Sequence, residues 1–306
     1  MPTTNSDGPI RIVMPFKPGG FSDTIMNNML PRFTELLGTE VRVEYDPGRP
    51  GGCVAPCNVS KAVPNGKTLL IGTTGNIALL PAIYPNYGIN PLTDLTPITL
   101  LAQAANILVT RPGLGADDFA GLIALAKEKP GELTYNPINP GSIHYVEMLT
   151  LEKEAGIRLA PAQFGGNPYE AVMAGEIDIF ISTPARTYPR LASGEMIGIA
   201  VMAKERVTGA PNLPTFPELG IPSLHTGSWT GLFGPPGMDA ELAAEIASTA
   251  KKALVTTDGI TDVLDKVGMS LDVSASPEMF QSYLESETER LAKDVAITRM
   301  PVLEDD

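Results

Sequence analysis

The sequence predicts an α/β protein of two domains, each a mainly parallel sheet flanked by helices. A chain of 306 residues is most simply two domains or one large α/β unit. Its composition, 43% hydrophobic and 19% charged, is sufficient for a sizeable buried core. Short apolar runs alternate with segments of helical spacing, and this alternation is typical of parallel sheets covered by helices.

The first third of the chain begins with a strand and a glycine turn that leads into a helix. Apolar side chains recur in this helix at helical spacing, and Pro31 should kink the helix or divide it in two. Gly38 is a natural stop. The predicted elements of this part are a strand at 10–14, the helix at 24–37, a strand at 41–45, a short helix after Gly52 and a strand at 68–72.

The rest of the chain continues the alternation. Strands at 98–101 and 107–110 flank the point where we place the first crossing between the domains. Further strands are predicted at 133–136, 158–161, 177–181, 197–202 and 229–233. Five further helices are predicted. One is capped by Asp117 or Asp118, a second runs through Leu149 and a third ends near Gly175. The fourth is capped by Asp239, and the last begins at Ser276-Pro277.

The composition excludes several classes of function. The net charge of −13 argues against nucleic acid and anionic membrane surfaces as partners. The sequence has no run of about 18 apolar residues that could span a membrane. With two histidines and two cysteines it has no zinc signature, and we expect neither a metal nor a cofactor.

The segment from Pro15 to Asp23 is the strongest candidate for a ligand site. A strand that passes through Gly19 and Gly20 into a helix leaves backbone N–H groups without partners, which suits a carboxylate. A tight turn alone is the alternative for the two glycines. Ser22 would either cap the helix or donate its hydroxyl to a ligand oxygen.

Three neighbouring side chains have separate interpretations. Asp23 is better interpreted as structural, because it would repel a bound carboxylate, whereas at the third helical position it can brace the N–H groups of the loop. Lys17 is either a solvated surface lysine or the partner of a second acid group. Phe21, like Phe164, would line the cleft or belong to the core.

Further glycine turns precede helices later in the chain. Gly141 and Ser142 repeat the opening pattern, with a simple turn as the alternative. His144 would hydrogen-bond this loop or pack in the core. Thr183 and Arg186 follow a strand, where ligands bind in open α/β sheets, and a surface salt bridge is the alternative for Arg186. The complete set of predicted ligand residues is Phe16, Lys17, Gly19, Gly20, Phe21, Ser22, Asp23, Thr74, Asn139, Gly141, Ser142, His144, Phe164, Gly165, Thr183 and Arg186.

Short motifs follow one another in order along nearly the whole chain. They are Pro15-Phe16 with Pro18-Gly19-Gly20 and Asp23; Pro47-Gly48 with Gly51-Gly52; Pro64-Asn65-Gly66-Lys67-Thr68-Leu69-Leu70; Asp94-Leu95-Thr96-Pro97; Gly141-Ser142 with His144; Gly165-Gly166; Gly175-Glu176-Ile177-Asp178; Arg206 with Leu213-Pro214-Thr215 and Glu218-Leu219-Gly220; and Trp229 with Pro235-Pro236-Gly237. Each alone is weak, but their joint order is highly specific. Together they resemble the solute receptors of tripartite tricarboxylate transporters, the Bug or TctC-like family.

The resemblance implies a periplasmic binding protein with a type II-like fold. Two α/β domains would be joined by a hinge of two crossing segments, with a carboxylate ligand in the cleft between them. The chain's last third would return to the first domain, which gives residues 1–106 with 226–306 as one domain and 107–225 as the other. We expect a monomer that closes on its ligand and delivers it to membrane subunits of a tripartite transporter.

Departures from the family pattern lie at predicted cleft positions. Asp46 stands where the family commonly has an asparagine, and Lys17 and Phe21 make the first loop bulkier and more basic. Residues 136–140 replace a loop richer in glycine and serine. The identity of the ligand therefore cannot be inferred from one relative. Lys17 and Arg186 favour a dicarboxylate, and the phenylalanines leave room for an aromatic acid.

Two other functions stay open at this point. A receptor that signals to a sensor would also need two domains that close on a ligand, as a transport receptor does. An enzyme is the second alternative, although the sequence has no Gly-x-Ser-x-Gly elbow and no P-loop, and a pair of Ser142 and His144 lacks a visible third partner. Met1 precedes a polar lead-in of the kind left where an export signal has been replaced by a start codon, although a cytosolic protein would look the same.

Overall fold

The computed structural model describes residues 8–18, 21–48, 54–84, 86–136, 142–162, 167–225, 227–260, 264, 269–271 and 276–298, with the backbone alone for Phe21, Ala185 and Met269. The strands are β1 Ile10–Met14, β2 Val41–Tyr45, β3 Thr68–Thr73, β4 Thr96–Ala104, β5 Ile107–Thr110, β6 Thr134–Tyr135, β7 Ala160–Pro161, β8 Ile179–Ser182, β9 Ile197–Val201, β10 Ser228–Gly234 and β11 Met269–Leu271. The helices are α1 Phe21–Leu37, α2 Val54–Val59, a π-helix Thr74–Leu79, α3 Leu80–Ile83, α4 Pro91–Asp94, α5 Phe119–Glu128, α6 Ile143–Ala155, α7 Pro168–Ala174, α8 Pro184–Ser193, α9 Ala240–Val255 and α10 Pro277–Thr298.

These strands form two sheets. Within the described ranges the first sheet has the order β11-β4-β10-β3-β1-β2, and the second has the order β7-β6-β8-β5-β9. Helices α9 and α10 pack against the first sheet, and α6 and α7 pack against the second. The α/β class with two helix-flanked sheets, which the alternation of apolar runs predicts, is thereby confirmed.

Each sheet is mixed in direction, unlike the mainly parallel sheets that we expected. Strands β1, β2 and β3 are parallel to one another, as are β6, β7 and β8. Strand β10 runs antiparallel to β3 and β4, and β5 runs antiparallel to β8 and β9. The chain reaches β5 and β10 directly from the other sheet. Each of these two strands therefore begins at the edge of the sheet where its neighbouring strands end.

The chain crosses between the sheets through two connections, which we call the crossing segments. The first joins Ala104 of β4 to Ile107 of β5, and the second joins Val201 of β9 to Ser228 of β10. The expected domain boundaries at 106/107 and 225/226 fall in these connections and stay predictions.

The crossing segments touch each other closely at Gly227. A Cβ atom at this position would lie 1.9 Å from the carbonyl oxygen of Ala104 and 2.8 Å from the backbone nitrogen of Asn106. No side chain fits so near a backbone, so only glycine is compatible with this packing. The backbone N–H of Met202 also donates to the Asn106 carbonyl at 2.8 Å, which joins the end of β9 to the first crossing segment.

Helix α1 follows from its apolar spacing. Its inner face is buried between the first sheet and α9, and the buried residues are Ile25, Met26, Met29, Phe33 and Leu37. Pro31 lies inside one continuous helix, so of the two expected outcomes the division into two helices is wrong, and the kink stays a prediction. The packed apolar face offsets the hydrogen bond that proline cannot make. Gly38 ends the helix, as predicted, with a φ of 63°.

Aromatic rings seat the last helix, α10, on the first sheet. The Phe280 ring of α10 lies 5.2 Å from Phe233 and 6.0 Å from Trp229 of β10, centroid to centroid. Tyr283 adds an edge contact to Trp229 at 6.1 Å. Such aromatic contacts combine large buried area with favourable edge geometry, so the end of the chain is held against β10.

Two regions contain helices that the sequence did not reveal. Residues 182–186, which we interpreted as a polar strand exit, include the start of α8 with Pro184 at its first position. The π-helix, α3 and α4 lie in the stretch rich in proline, tyrosine and asparagine that we interpreted as a connection. Their short lengths and prolines conceal the helical period.

Candidate ligand-binding site

The strand register places two sets of loops at facing edges of the sheets. Thr73, the last residue of β3, pairs with Thr230 near the start of β10, which arrives from the second sheet. Ser182, the last residue of β8, pairs with Ile107 at the start of β5, which arrives from the first sheet. The carboxyl ends of β3 and β8, and of the strands parallel to them, therefore lie where the chain crosses. Ligands of open α/β sheets bind beyond such strand ends.

The first loop places a buried hydroxyl group in the first turn of α1. Ser22 is 5% exposed, and no hydrogen bond joins its side chain to another residue that the structure describes. Because α1 begins at Phe21, Ser22 lies inside the helix rather than at the cap position, which disfavours the capping alternative. A buried hydroxyl without an internal partner is available to a ligand.

Asp23 ties the start of α1 to the end of β2. Its carboxylate is 6% exposed and accepts a hydrogen bond from the Tyr45 hydroxyl at 2.5 Å. This bond raises the pKa of Tyr45, because only the protonated phenol can donate. The contact agrees with the structural interpretation of Asp23. Its bracing of the N–H groups of the loop stays a prediction.

Phe16 and Lys17 precede this turn and differ in their surroundings. Phe16 is partly buried and packs against the core between the first sheet and α1. Lys17 is exposed, and no ion pair joins it to an acid within the described ranges. Both interpretations of Lys17, a surface lysine and the partner of a second carboxylate, stay open.

The π-helix after β3 begins with a buried threonine. Thr74 is 1% exposed, and its Oγ1 accepts a hydrogen bond from the backbone N–H of Trp229 at 2.8 Å. A hydroxyl that accepts one bond retains its proton for another acceptor. Asn76 Oδ1 accepts a bond from the backbone N–H of Thr73 at 2.7 Å, which fixes this turn. The π-helix packs against α6, so Thr74 and Ser142 belong to elements that touch across the two sheets.

The second sheet contributes the N-terminus of α6. Ser142 caps this helix, and its Oγ accepts a bond from the backbone N–H of Tyr145 at 3.3 Å. His144 has a buried Nε2 that no described residue hydrogen-bonds, and burial lowers the pKa of His144 to about 4. The imidazole is therefore neutral at pH 7 and offers no positive charge to a ligand. This favours the core alternative for His144.

Hydroxyl groups cluster at the carboxyl end of β8. Ser182 Oγ donates to the Tyr169 hydroxyl at 2.8 Å, and Thr187 Oγ1 donates to Ser182 Oγ at 2.6 Å. Thr183 occupies the N-cap position of α8 without a side-chain capping bond, and its Oγ1 lies 3.5 Å from the Tyr169 hydroxyl. Arg186 is exposed, and its guanidinium carbon lies 5.6 Å from the centre of the Tyr169 ring. Arg186 thus makes a cation–π contact with Tyr169, and no salt bridge joins it to an acid within the described residues.

Six predicted ligand residues and one side chain lie outside the described residues. They are Gly19, Gly20, Asn139, Gly141, Phe164 and Gly165, with the side chain of Phe21. Their roles stay predictions.

A cavity of about 550 Å³ opens at the crossing segments, and Tyr188 of α8 is one of its lining residues. It is lined by Ala104 and Gly227 of the crossing segments, by residues 202–209 and by Ser270 of β11. In the first sheet, β4 and β10 lie between β11 and β3, so Ser270 and the loop after β3 are separated by two strands. None of the predicted ligand residues lines it.

The described residues contain no group of three or more His, Cys, Asp or Glu side chains placed to hold a metal ion. In the same ranges, no helix combines the length and the apolar character needed to cross a bilayer.

Two α/β sheets joined by two crossing segments, with loops at their facing edges, define the architecture of a two-domain solute-binding protein. The chain belongs to the family described as "Tripartite tricarboxylate transporter family receptor", whose model matches residues 26–297. The family that the ordered motifs indicate is thereby confirmed.

Relatives and solved structures agree with this assignment. Protein BugT of Bordetella pertussis is 25% identical over 287 residues, which cover 93% of this chain and 87% of that protein. The structure of Rpa4515 with adipate, from R. palustris, is 26% identical with a TM-score of 0.82, covering 96% of this chain and 98% of that one. MatC from Rhodopseudomonas palustris with bound malate is 25% identical with a TM-score of 0.79, covering 94% and 98%.

Sequence reasoning missed three residues near these loops. Tyr169, on α7, connects the hydroxyl cluster to Arg186, and an aromatic residue directly after the Asn167-Pro168 helix start was the available signal. Asn106 and Glu147 form a buried pair across the crossing. They are 41 positions apart and gave no local signal.

Proposed function

We infer that this protein is an extracytoplasmic solute receptor that binds a small organic dicarboxylate between its two sheets. The observation that carries the proposal is the register of β3 and β8, which brings the strand ends before Thr74 and Thr183 to the crossing edge. With Ser22 and Ser142, these residues are hydroxyl donors at the starts of four helices. Helix N-termini offer unpaired N–H groups and a positive dipole end, which favour a carboxylate.

The proposal of two carboxylates has two supports. Rpa4515 was solved with adipate and MatC with malate, and both ligands are dicarboxylates. In this chain, Lys17 and Arg186 are exposed cations for which no ion pair with a described acid is found. They are available to a second acid group, aliphatic or aromatic.

The energies indicate how such a site must work. One charge at a helix end contributes about 0.3–1 kcal/mol, rarely about 2 kcal/mol. Micromolar affinity needs about −8 kcal/mol. Helix ends alone are therefore insufficient, and several charge-assisted hydrogen bonds in a site with little water must supply the remainder. The receptor closes its two domains on the ligand to exclude that water.

The bound form then delivers the ligand to membrane subunits of a tripartite transporter, as the family description supports. It acts outside the cytoplasm and leaves the ligand chemically unchanged. The contacts of Ser142 support binding rather than turnover. Its described hydrogen bond is to the backbone N–H of Tyr145, and no bond joins it to His144, so the pair lacks the geometry of an activated nucleophile.

A ligand panel tests this function. Adipate, malate, succinate and phthalate are compared with hexanoate and benzoate, matched acids with one carboxylate, by thermal shift and then by calorimetry. We expect at least one dicarboxylate to bind with micromolar affinity and each matched monocarboxylate to bind at least about tenfold more weakly. At 100 times Kd the ligand should stabilise the fold by about 2.7 kcal/mol, which is a Tm increase of about 5 °C.

Mass spectrometry of the incubated ligand provides the control for chemistry, and the ligand should be recovered unchanged. Equal binding of monocarboxylates, or no binding of any dicarboxylate, would contradict the proposal. Formation of a product would identify an enzyme instead.

A further inference from the structure

Asn106 joins several parts of the crossing and is fully buried. Its carbonyl oxygen accepts a bond from the backbone N–H of Met202 at 2.8 Å, and its Oδ1 lies 3.5 Å from the Ser228 hydroxyl. Its side-chain amide donates to both carboxyl oxygens of Glu147, at 2.8 and 2.9 Å. Glu147 lies on α6, whose N-terminus holds Ser142. The pair therefore links the crossing segments to a predicted binding loop.

On its other side, α6 packs against α10 of the first sheet, where a charged cluster faces Glu147. Arg290 is paired with Glu287 at 2.5 Å and with Asp294 at 2.7 Å. Glu147 and Glu287 are each 3% exposed and Asp294 is 5% exposed. In the described part of this contact, Arg290 pairs with two of the three carboxyl groups, those of Glu287 and Asp294, whereas Glu147 forms no ion pair with it. The Nη2 of Arg290 is buried without a hydrogen-bond partner among the described residues. Full ionisation would leave two uncompensated negative charges out of water, which is costly.

The contact therefore favours a protonated Glu147. Burial is the largest cause and raises the pKa of Glu147 to about 8, while the Asn106 bond and Arg290 oppose this shift. The neighbouring Glu287 and Asp294 add to the increase. At pH 7 and in this packing, Glu147 holds its proton.

Other titratable groups around the contact are few. His144 lies one turn earlier on α6 and is neutral, since burial lowers its pKa to about 4. Tyr283 of α10 donates to Glu287 at 3.3 Å. Glu154 of α6 and His225 act electrostatically on Asp294. The π-helix and β8, which also pack against α6, contain no charged residue.

We propose that Glu147 is a proton-linked positioning residue: α6 packs on α10 with the Glu147 carboxyl protonated, and separation of the two domains releases that proton to solvent. The inference rests on the proposed function, because α6, which Ser142 caps, packs against the π-helix that begins at Thr74 as well as against α10. Ligand binding between these residues therefore selects the protonated arrangement.

The direction of the pH effect follows from the raised pKa of Glu147. The proton stabilises the packed arrangement fully below the ordinary glutamate pKa, and this stabilisation is lost as pH rises through about 8. Affinity for a dicarboxylate should fall between pH 6 and 8, by up to about tenfold per pH unit, and should level off above that range.

Calorimetry of adipate binding at pH 7.5, in two buffers of different ionisation enthalpy, measures the proton uptake. We expect wild type to take up as much as one proton and Glu147→Gln, which keeps the shape but cannot ionise, to take up none. Glu152→Gln is the matched control, because Glu152 is a half-buried acid on the same helix that accepts a bond from the Leu159 N–H within its own domain. This variant should behave like wild type. Equal uptake in wild type and Glu147→Gln, or none in wild type, would overturn the proposal.

Small-angle scattering without ligand decides the matter if adipate does not bind. Absence of adipate binding would count against adipate as a ligand in the proposed function. It would not decide whether protonation of Glu147 is linked to domain packing. We expect the radius of gyration of the ligand-free wild type to increase between pH 6 and 9, with no increase in Glu147→Gln. A radius independent of pH in wild type, or the same increase in both proteins, would then overturn the proposal.

Discussion

Side chains in the first turns of helices supply the donors of the proposed site, and their neighbours fix them in place. Ser22 is buried without an internal partner among the described residues, while Asp23 beside it is engaged by Tyr45. In the proposed site, Ser22 therefore contacts the ligand and Asp23 stabilises the loop. Among the described residues the Ser22 hydroxyl has no hydrogen-bond partner, and the carboxylate that would repel an anion accepts a bond from a phenol.

Ser22→Ala should therefore weaken binding without unfolding the protein. Loss of one hydrogen bond to a charged group amounts to about 1.5–3 kcal/mol, which is a tenfold to hundredfold increase in Kd. Calorimetry with the tightest dicarboxylate measures this change. Ser282→Ala, an exposed serine on α10, is the control and should leave Kd unchanged. Unchanged affinity in Ser22→Ala would remove Ser22 from the site.

Residues with local partners could be predicted from the sequence, and residues with distant partners could not. Asp118 and Asp239 cap α5 and α9 as expected, with Asp118 accepting from the Gly121 N–H at 2.7 Å. Capping depends on neighbours within four positions, which the sequence shows directly. The bond between Asn106 and Glu147 spans 41 positions and becomes visible only when the two sheets are assembled.

Strands β5, β6 and β8 of the second sheet are tied together by one acid. Asp178, which precedes β8, forms a salt bridge with Arg111 at 2.7 Å, and its other oxygen accepts bonds from the N–H and hydroxyl of Thr134 at 2.8 and 2.9 Å. These bonds outweigh the effect of burial and lower the pKa of Asp178. They also give a physical reason for the Asp at the end of the Gly175–Asp178 motif.

Asp178→Asn should destabilise the fold by about 1–3 kcal/mol at pH 7, because Arg111 loses its charged partner. The pKa of Asp178 is depressed in the folded state, so the wild-type advantage is present above about pH 4 and is lost as pH falls below it. Urea unfolding at pH 7 and pH 3 measures both effects. The control is Asp258→Asn, at an exposed position. An equal difference between Asp178→Asn and wild type at both pH values would contradict this account.

The order of strands and helices was largely predictable, but their directions and some helices were not. Apolar periodicity located β1, β3 and α9 because each buries one face or both. It carries no information on strand direction, so the reversal of β5 and β10 was not foreseen. Helix α8 escaped because Pro184, Pro189 and its polar side chains hide the helical period.

The whole molecule combines an acidic surface with local donors for an anion. The net charge of −13 would repel a dicarboxylate over long distances at low salt, but exposed charges are screened beyond about 8 Å at physiological ionic strength. Within the proposed site, helix N-termini and hydroxyl groups therefore dominate. The motifs revealed the family and the fold, whereas the way in which Gly227 and Asn106 lock the two crossing segments together required the structure.

The most direct test of the central claim is a crystal structure with the dicarboxylate that binds most tightly in the panel. We predict ligand density between the two sheets, with carboxylate oxygens within hydrogen-bond distance of residues 19–22 on one side and of Ser142 or Thr183 on the other. Density in the 550 Å³ cavity beside β11, with the facing loops empty, would contradict the account.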